Sequence, residues 1–152
     1  MIASSGNLIV SSATISVGPE SIGLLSRARG LLQGMTPLIT ASGDVTTASH
    51  FLACWSLELL LKSYLSHVGV SRKELKPIRH NLGALWVKAS SLGLAVSANP
   101  PRWCQLLNGI HDYPYYSRYP TAAAGYIGPN LQQLNAELGI LLDVVSKIVQ
   151  PK

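Results

Sequence analysis

Glu58 and Lys62 stand four residues apart, in the order that lets a carboxylate reach an ammonium one helical turn later. On a helical wheel they fall in the middle of an apolar arc that includes Phe51, Cys54, Trp55 and Leu65. A charge in that position must be paired or must serve a site. Read as a buried structural pair, the two fix the helix register or tie down a loop. Lys62→Met is then expected to cost about 3–5 kcal/mol, because it strands the carboxylate. A catalytic use is the second reading. The other unusual stretch is the loop at 111–120, His-Asp-Tyr-Pro-Tyr-Tyr-Ser-Arg-Tyr-Pro, which holds four of the six tyrosines. An arginine among aromatic rings can hold a phosphate while a base stacks on a ring face. The bland alternative is that these tyrosines cover a helix face and bond their hydroxyls to backbone. The candidate ligand-binding residues are therefore His80, Asn81, His111, Tyr115, Tyr116, Arg118 and Tyr119. Arg118 is expected to point into a cleft shared with His80 or His111. His80 can equally serve as a cap or core residue, and His50 and His67 read as structural.

Other chemistries find no footing in the spacing. The four histidines are scattered and meet no metal-ligand pattern, so neither a metal nor a cofactor is expected. No phosphate-binding glycine loop and no nucleophile setting is present. Cys54 and Cys104 are fifty residues apart and form no disulfide framework, which suits a reducing, cytoplasmic setting. Residues 1–17 carry no signal-peptide pattern, and no run approaches the ~20 apolar residues that span a bilayer. A net charge of +5 without a Lys/Arg run permits a phosphate-bearing partner but does not demand one.

The elements that must position these residues are helical. Pro19-Glu20 starts a helix over 20–34 that Pro37 ends, with Leu24, Ala28, Leu31 and Leu32 on one face. A second helix runs over 44–68 between Gly43-Asp44 and Gly69; it is apolar nearly all round, as a central helix is. Its exceptions, Ser49, Ser56, Ser63 and His67, share one narrow stripe. Ser71 to Glu74 has a capping-box pattern for a short turn. Further helices are expected over 81–92, from Asn99-Pro100 to Gly109, and over 129–149. The chain thus reads as an all-α, up-and-down bundle of about four to five helices over 19–152, preceded by a less regular arm at 1–18. Only 12% of residues are charged, about half the usual share. Such a surface has apolar area to hide, so a homodimer is expected.

Three stretches carry a resemblance. Ala48 to Leu65, with its Glu-Leu-Leu-Leu-Lys core, resembles the signature helix of the HEPN family. Arg79-His80-Asn81-Leu82 is similar to the start of that family's next helix, and Arg118-Tyr119-Pro120 to an element before its last one. They keep family order across 44–149. The resemblance implies a helical bundle, commonly a homodimer, whose relatives cut RNA or pair with a nucleotidyltransferase, often in defence or toxin–antitoxin systems. Ribonuclease members carry an Arg followed four to six residues later by His, the Arg for phosphate charge and the His for proton transfer. Here Arg72 and His80, and Arg102 and His111, are too far apart, Arg79 and His80 are adjacent, and no His follows Arg118. The expectation is nucleotide or RNA binding without an intact ribonuclease motif. The alternatives are a non-catalytic module that recruits a nucleotidyltransferase or other partner, and a metal-free ribonuclease with a rearranged Arg/His site.

Overall fold

A computed structural model describes residues 19–116, 118–119 and 125–150. The expected arm at 1–18 and Pro120 lie outside the described residues. Those described form six α-helices and a 3-10 turn, with no strand among them: α1 Glu20–Met35, α2 Thr46–His67, α3 Arg72–Leu75, α4 Leu82–Ser91, α5 Arg102–His111 and α6 Leu131–Val149. No described helix is long and apolar enough to cross a membrane. The fold is all-α, as the periodicity implies.

Helix α2 is central, packed by α1, α4, α5 and α6. Its serine stripe faces α1. Ser56 Oγ donates to the Ala28 carbonyl at 3.0 Å and Ser63 Oγ to the Ser21 carbonyl at 2.7 Å. At Ser56 and Ser63 the small hydroxyls let the two backbones approach while satisfying their own donors, whereas Ser49 Oγ is buried without a partner among the described residues. On α1 the buried set is Ser21, Leu25, Ala28, Leu32 and Met35, so the buried face is turned slightly from the one centred on Leu24 and Leu31. The helix runs into a 3-10 turn, Thr36–Thr40, which Pro37 opens rather than forbids, because a proline near a helix start loses no needed hydrogen bond. His67, on the same stripe, lies exposed at the C-terminal end of α2.

Glycines end two helices by taking positive φ: Gly69 at 94° and Gly93 at 104°. Beyond them the Val70 amide donates to the Leu65 carbonyl and the Leu94 amide to the Ala89 carbonyl, closing the last turns. Gly109 does not act this way. α5 continues through it to His111, since Ile110 and His111 are buried and their packing outweighs the roughly 1 kcal/mol cost of a mid-helix glycine. That extra half turn delivers His111 to the interior.

His50 is structural in the sense expected. Its Nε2 lies 3.0 Å from the Pro129 carbonyl and its Nδ1 3.2 Å from the Tyr126 hydroxyl, pinning the segment that enters α6. Gly128 packs on the same ring, and a Cβ there would fall 2.2 Å from His50 Cε1. Gly128→Ala is therefore expected to destabilise by about 1–3 kcal/mol in chemical denaturation. A loss under about 0.5 kcal/mol would mean that the segment yields at no cost.

Candidate functional site

The site is built on one turn of α2. Trp55, Glu58 and Lys62 follow at helical spacing and project toward the gap between the start of α4 and the end of α5. The α4 start is fixed by Asn81, which caps the helix by accepting from the Ala84 amide at 2.8 Å. Asn108 of α5 locks it further by accepting from the Leu82 amide at 2.7 Å. These two contacts hold His80, the residue before the cap, against α2. His111, the last residue of α5, arrives from the other side and is fully buried.

Glu58 is the hub. Its side chain is 2% exposed, and Lys62 Nζ approaches Oε1 at 2.5 Å. His111 Nε2 lies 2.6 Å and His80 Nδ1 3.0 Å from Oε2. Burial alone would raise the carboxyl. Hydrogen bonds from His111, Lys62 and His80, with the charge of Lys62, outweigh burial and hold it down at about 2. The expected pair is thus a four-residue network, in which Lys62 supplies one of three donors.

An aromatic layer lies over the network. The Trp55 ring meets His80 edge-on at 5.7 Å and His111 at 5.2 Å between centroids. The Arg118 guanidinium sits 5.0 Å from the Trp55 ring centre and 5.9 Å from that of Tyr115. Tyr115 in turn packs edge-on against His80 at 6.4 Å. His80, His111, Tyr115 and Arg118 are therefore brought together with Glu58 and Lys62. Asn81 is occupied as a helix cap, Tyr116 is half-buried, and Tyr119 is exposed in the loop. Trp55 belongs to the site although its sequence position reads as core; the signal for it is its place one turn before Glu58.

Backbone strain and unpartnered buried polar atoms coincide in this region. The described non-glycine residues with positive φ are Arg79 at 55° and Tyr115 at 65°, and they flank His80 in the sequence and in space respectively. A side chain there costs about 1–2 kcal/mol. Such strain gathers where a site needs a side chain more than the backbone needs a glycine. In addition, Trp55 Nε1 and His111 Nδ1 are buried with no hydrogen-bond partner among the described residues, a condition native interiors seldom tolerate.

Glu58, His80 and His111 place three ligand-type atoms within 4.8 Å of one another, a cluster invisible to a search along the chain because its members are 22 and 53 residues apart. The donor set fits a metal poorly. An ion on His111 Nε2 would leave that ring's proton on Nδ1, where no acceptor faces it, whereas metal-bound histidines nearly always donate from the second nitrogen. It would also stand beside Lys62, whose ammonium already holds Glu58. The cluster is better described as a carboxylate orienting two imidazoles.

Burial pushes the Cys104 thiol up to about 12 and raises Cys54 further still, with the Glu58 charge adding to the latter. Neither is a nucleophile. No family model, curated protein or solved structure matches the chain.

Proposed function

We propose that the domain binds a nucleotide or RNA at the surface formed by Trp55, His80, Tyr115 and Arg118. The observation that supports this reading most is the Arg118 guanidinium within about 6 Å of both the Trp55 and Tyr115 ring centres (5.0 and 5.9 Å), beside a partly exposed His80. An arginine stacked on rings keeps its donors in the ring plane's edge directions, free for a phosphate, while Tyr115 offers a face to a base. His80 is oriented by Glu58 through Nδ1, and its Nε2 makes no hydrogen bond among the described residues. It can therefore meet a second phosphate or ribose oxygen. The resemblance to HEPN domains points the same way.

The reading is binding rather than turnover, because the Arg–His spacing of the family's nucleases is missing. Arg118→Ala is expected to weaken binding of a short single-stranded RNA, followed by fluorescence anisotropy, about 10- to 100-fold. Arg118 is exposed, so the melting temperature should move by no more than a few degrees. Unchanged affinity would sink the proposal, and so would a variant that fails to fold, which would make Arg118 a tether for the loop. RNA cleavage abolished by His80→Ala, with the fold intact, would replace binding by catalysis.

A further inference from the structure

Beside His80, a cavity of about 480 Å³ opens between α1, α2 and the α3 turn. Its lining includes Lys62, Arg72, Lys76, Arg79 and His80, over an apolar floor that includes Leu59 and Val70. One carboxylate shares the space, Glu20, and it is taken up by Arg72 at 2.6 Å. Lys62 is held by Glu58, while Lys76 and Arg79 form no ion pair among the described residues. Two cations, Lys76 and Arg79, are thus left without a carboxylate at one concavity, an arrangement that favours an anion joining them. Two unneutralised cations match a group with two negative charges better than an internal phosphodiester, which carries one.

Arg79 adds an independent indication. It is the residue that closes the α3 turn, its amide donating to the Leu75 carbonyl at 3.3 Å, and its φ of 55° is one a glycine adopts freely. An arginine stands in a strained position where glycine would serve the backbone better, and this residue lines the cavity. The backbone turn alone does not call for that side chain.

We infer that this cavity is a subsite for a terminal phosphate, a monoester or polyphosphate group carrying two or more negative charges, attached to the nucleotide whose base lies on the Trp55–Tyr115 side. The inference rests on the binding reading above and adds to it the end group that is recognised. His80 belongs to both halves, packing on Tyr115 and lining the cavity. The same chemistry is offered by a free nucleotide and by the 5′ end of an RNA.

The test compares one short single-stranded RNA with a 5′-phosphate and with a 5′-hydroxyl, alongside AMP, ATP and inorganic pyrophosphate, by titration calorimetry. The 5′-phosphorylated RNA should bind about tenfold more tightly than the hydroxyl form. Lys76→Gln should erase that difference and leave the 5′-hydroxyl affinity within about twofold. Arg79→Gly should also erase it while holding or raising the melting temperature, which a merely structural arginine would not do. Tighter binding of AMP or ATP than of the phosphorylated RNA identifies a free nucleotide as the source of the phosphate; the reverse identifies an RNA end. Equal affinity of the two RNAs overturns the subsite and leaves the Arg118 surface standing. If neither RNA binds, the Arg118 reading fails, and pyrophosphate decides the cavity alone. Binding lost in Lys76→Gln supports it, and no binding overturns it.

Discussion

Glu58→Gln is expected to destabilise the domain by about 3 kcal/mol, the largest loss of any substitution at the site. The carboxylate accepts from Lys62, His80 and His111 at once, at 2% exposure. An amide keeps the shape but turns an NH2 toward one of these donors and removes the charge that all three were drawn to. His111 cannot reach water to recover, being fully buried. Lys62→Met is a milder change than the sequence suggested. His80 and His111 remain on the carboxylate, and the Lys62 side chain is 20% exposed, so the expected cost falls to about 1–2 kcal/mol, one charge-assisted hydrogen bond. Urea denaturation of both variants checks the order. A larger loss for Lys62→Met than for Glu58→Gln would return the role of hub to the lysine.

The second large effect is on acid stability. The Glu58 carboxyl is held at about 2 against an ordinary 4.5. The unfolded chain takes up its proton first, so the stabilisation is complete above about 4.5 and is lost as pH falls toward 2. The gap between the two values corresponds to about 3 kcal/mol. Because other carboxylates titrate in the same window, the quantity to follow is the stability difference between wild type and Glu58→Gln. It should be about 3 kcal/mol at pH 6 and shrink toward zero near pH 2. A difference that stays constant across that range would mean that Glu58 contributes by shape and not by charge.

The helices were legible because their signals are local. Gly69 and Gly93 stop α2 and α4 at a positive φ that glycine adopts at little cost. The nearly all-apolar circumference of α2 marked it as central, and the Glu58–Lys62 pair was visible because its partners are one turn apart. Gly109 misled for the opposite reason: tertiary burial of Ile110 and His111 overrides a weak local preference. His111 therefore reads in the sequence as part of a loop, although it is the end of a helix driven into the core. The network around Glu58 joins residues from α2, the α4 start and the α5 end, and no spacing rule along a chain reports such a meeting. Trp55 was hidden among core residues of its own helix. The cations of the cavity beside His80 lie at 62, 72, 76 and 79, too spread to form a run, and only the turn of α3 onto α2 gathers them.

The central claim is that a nucleotide lies against Trp55. The chain has three tryptophans, and their indole N–H signals separate in a two-dimensional proton–nitrogen spectrum, Trp55→Phe identifying its own. Trp86 donates to the Ser97 carbonyl at 2.8 Å and packs on Trp103, in a contact apart from the Glu58 network. Trp55 Nε1 is without a partner among the described residues, and its ring carries Arg118. Titration with a short 5′-phosphorylated RNA should therefore shift the Trp55 indole signal progressively to saturation and leave those of Trp86 and Trp103 in place, and the same shift in Arg118→Ala should need about 10- to 100-fold more RNA. A Trp55 signal that stays fixed while the RNA binds, or that moves only together with Trp86 and Trp103, would contradict the account.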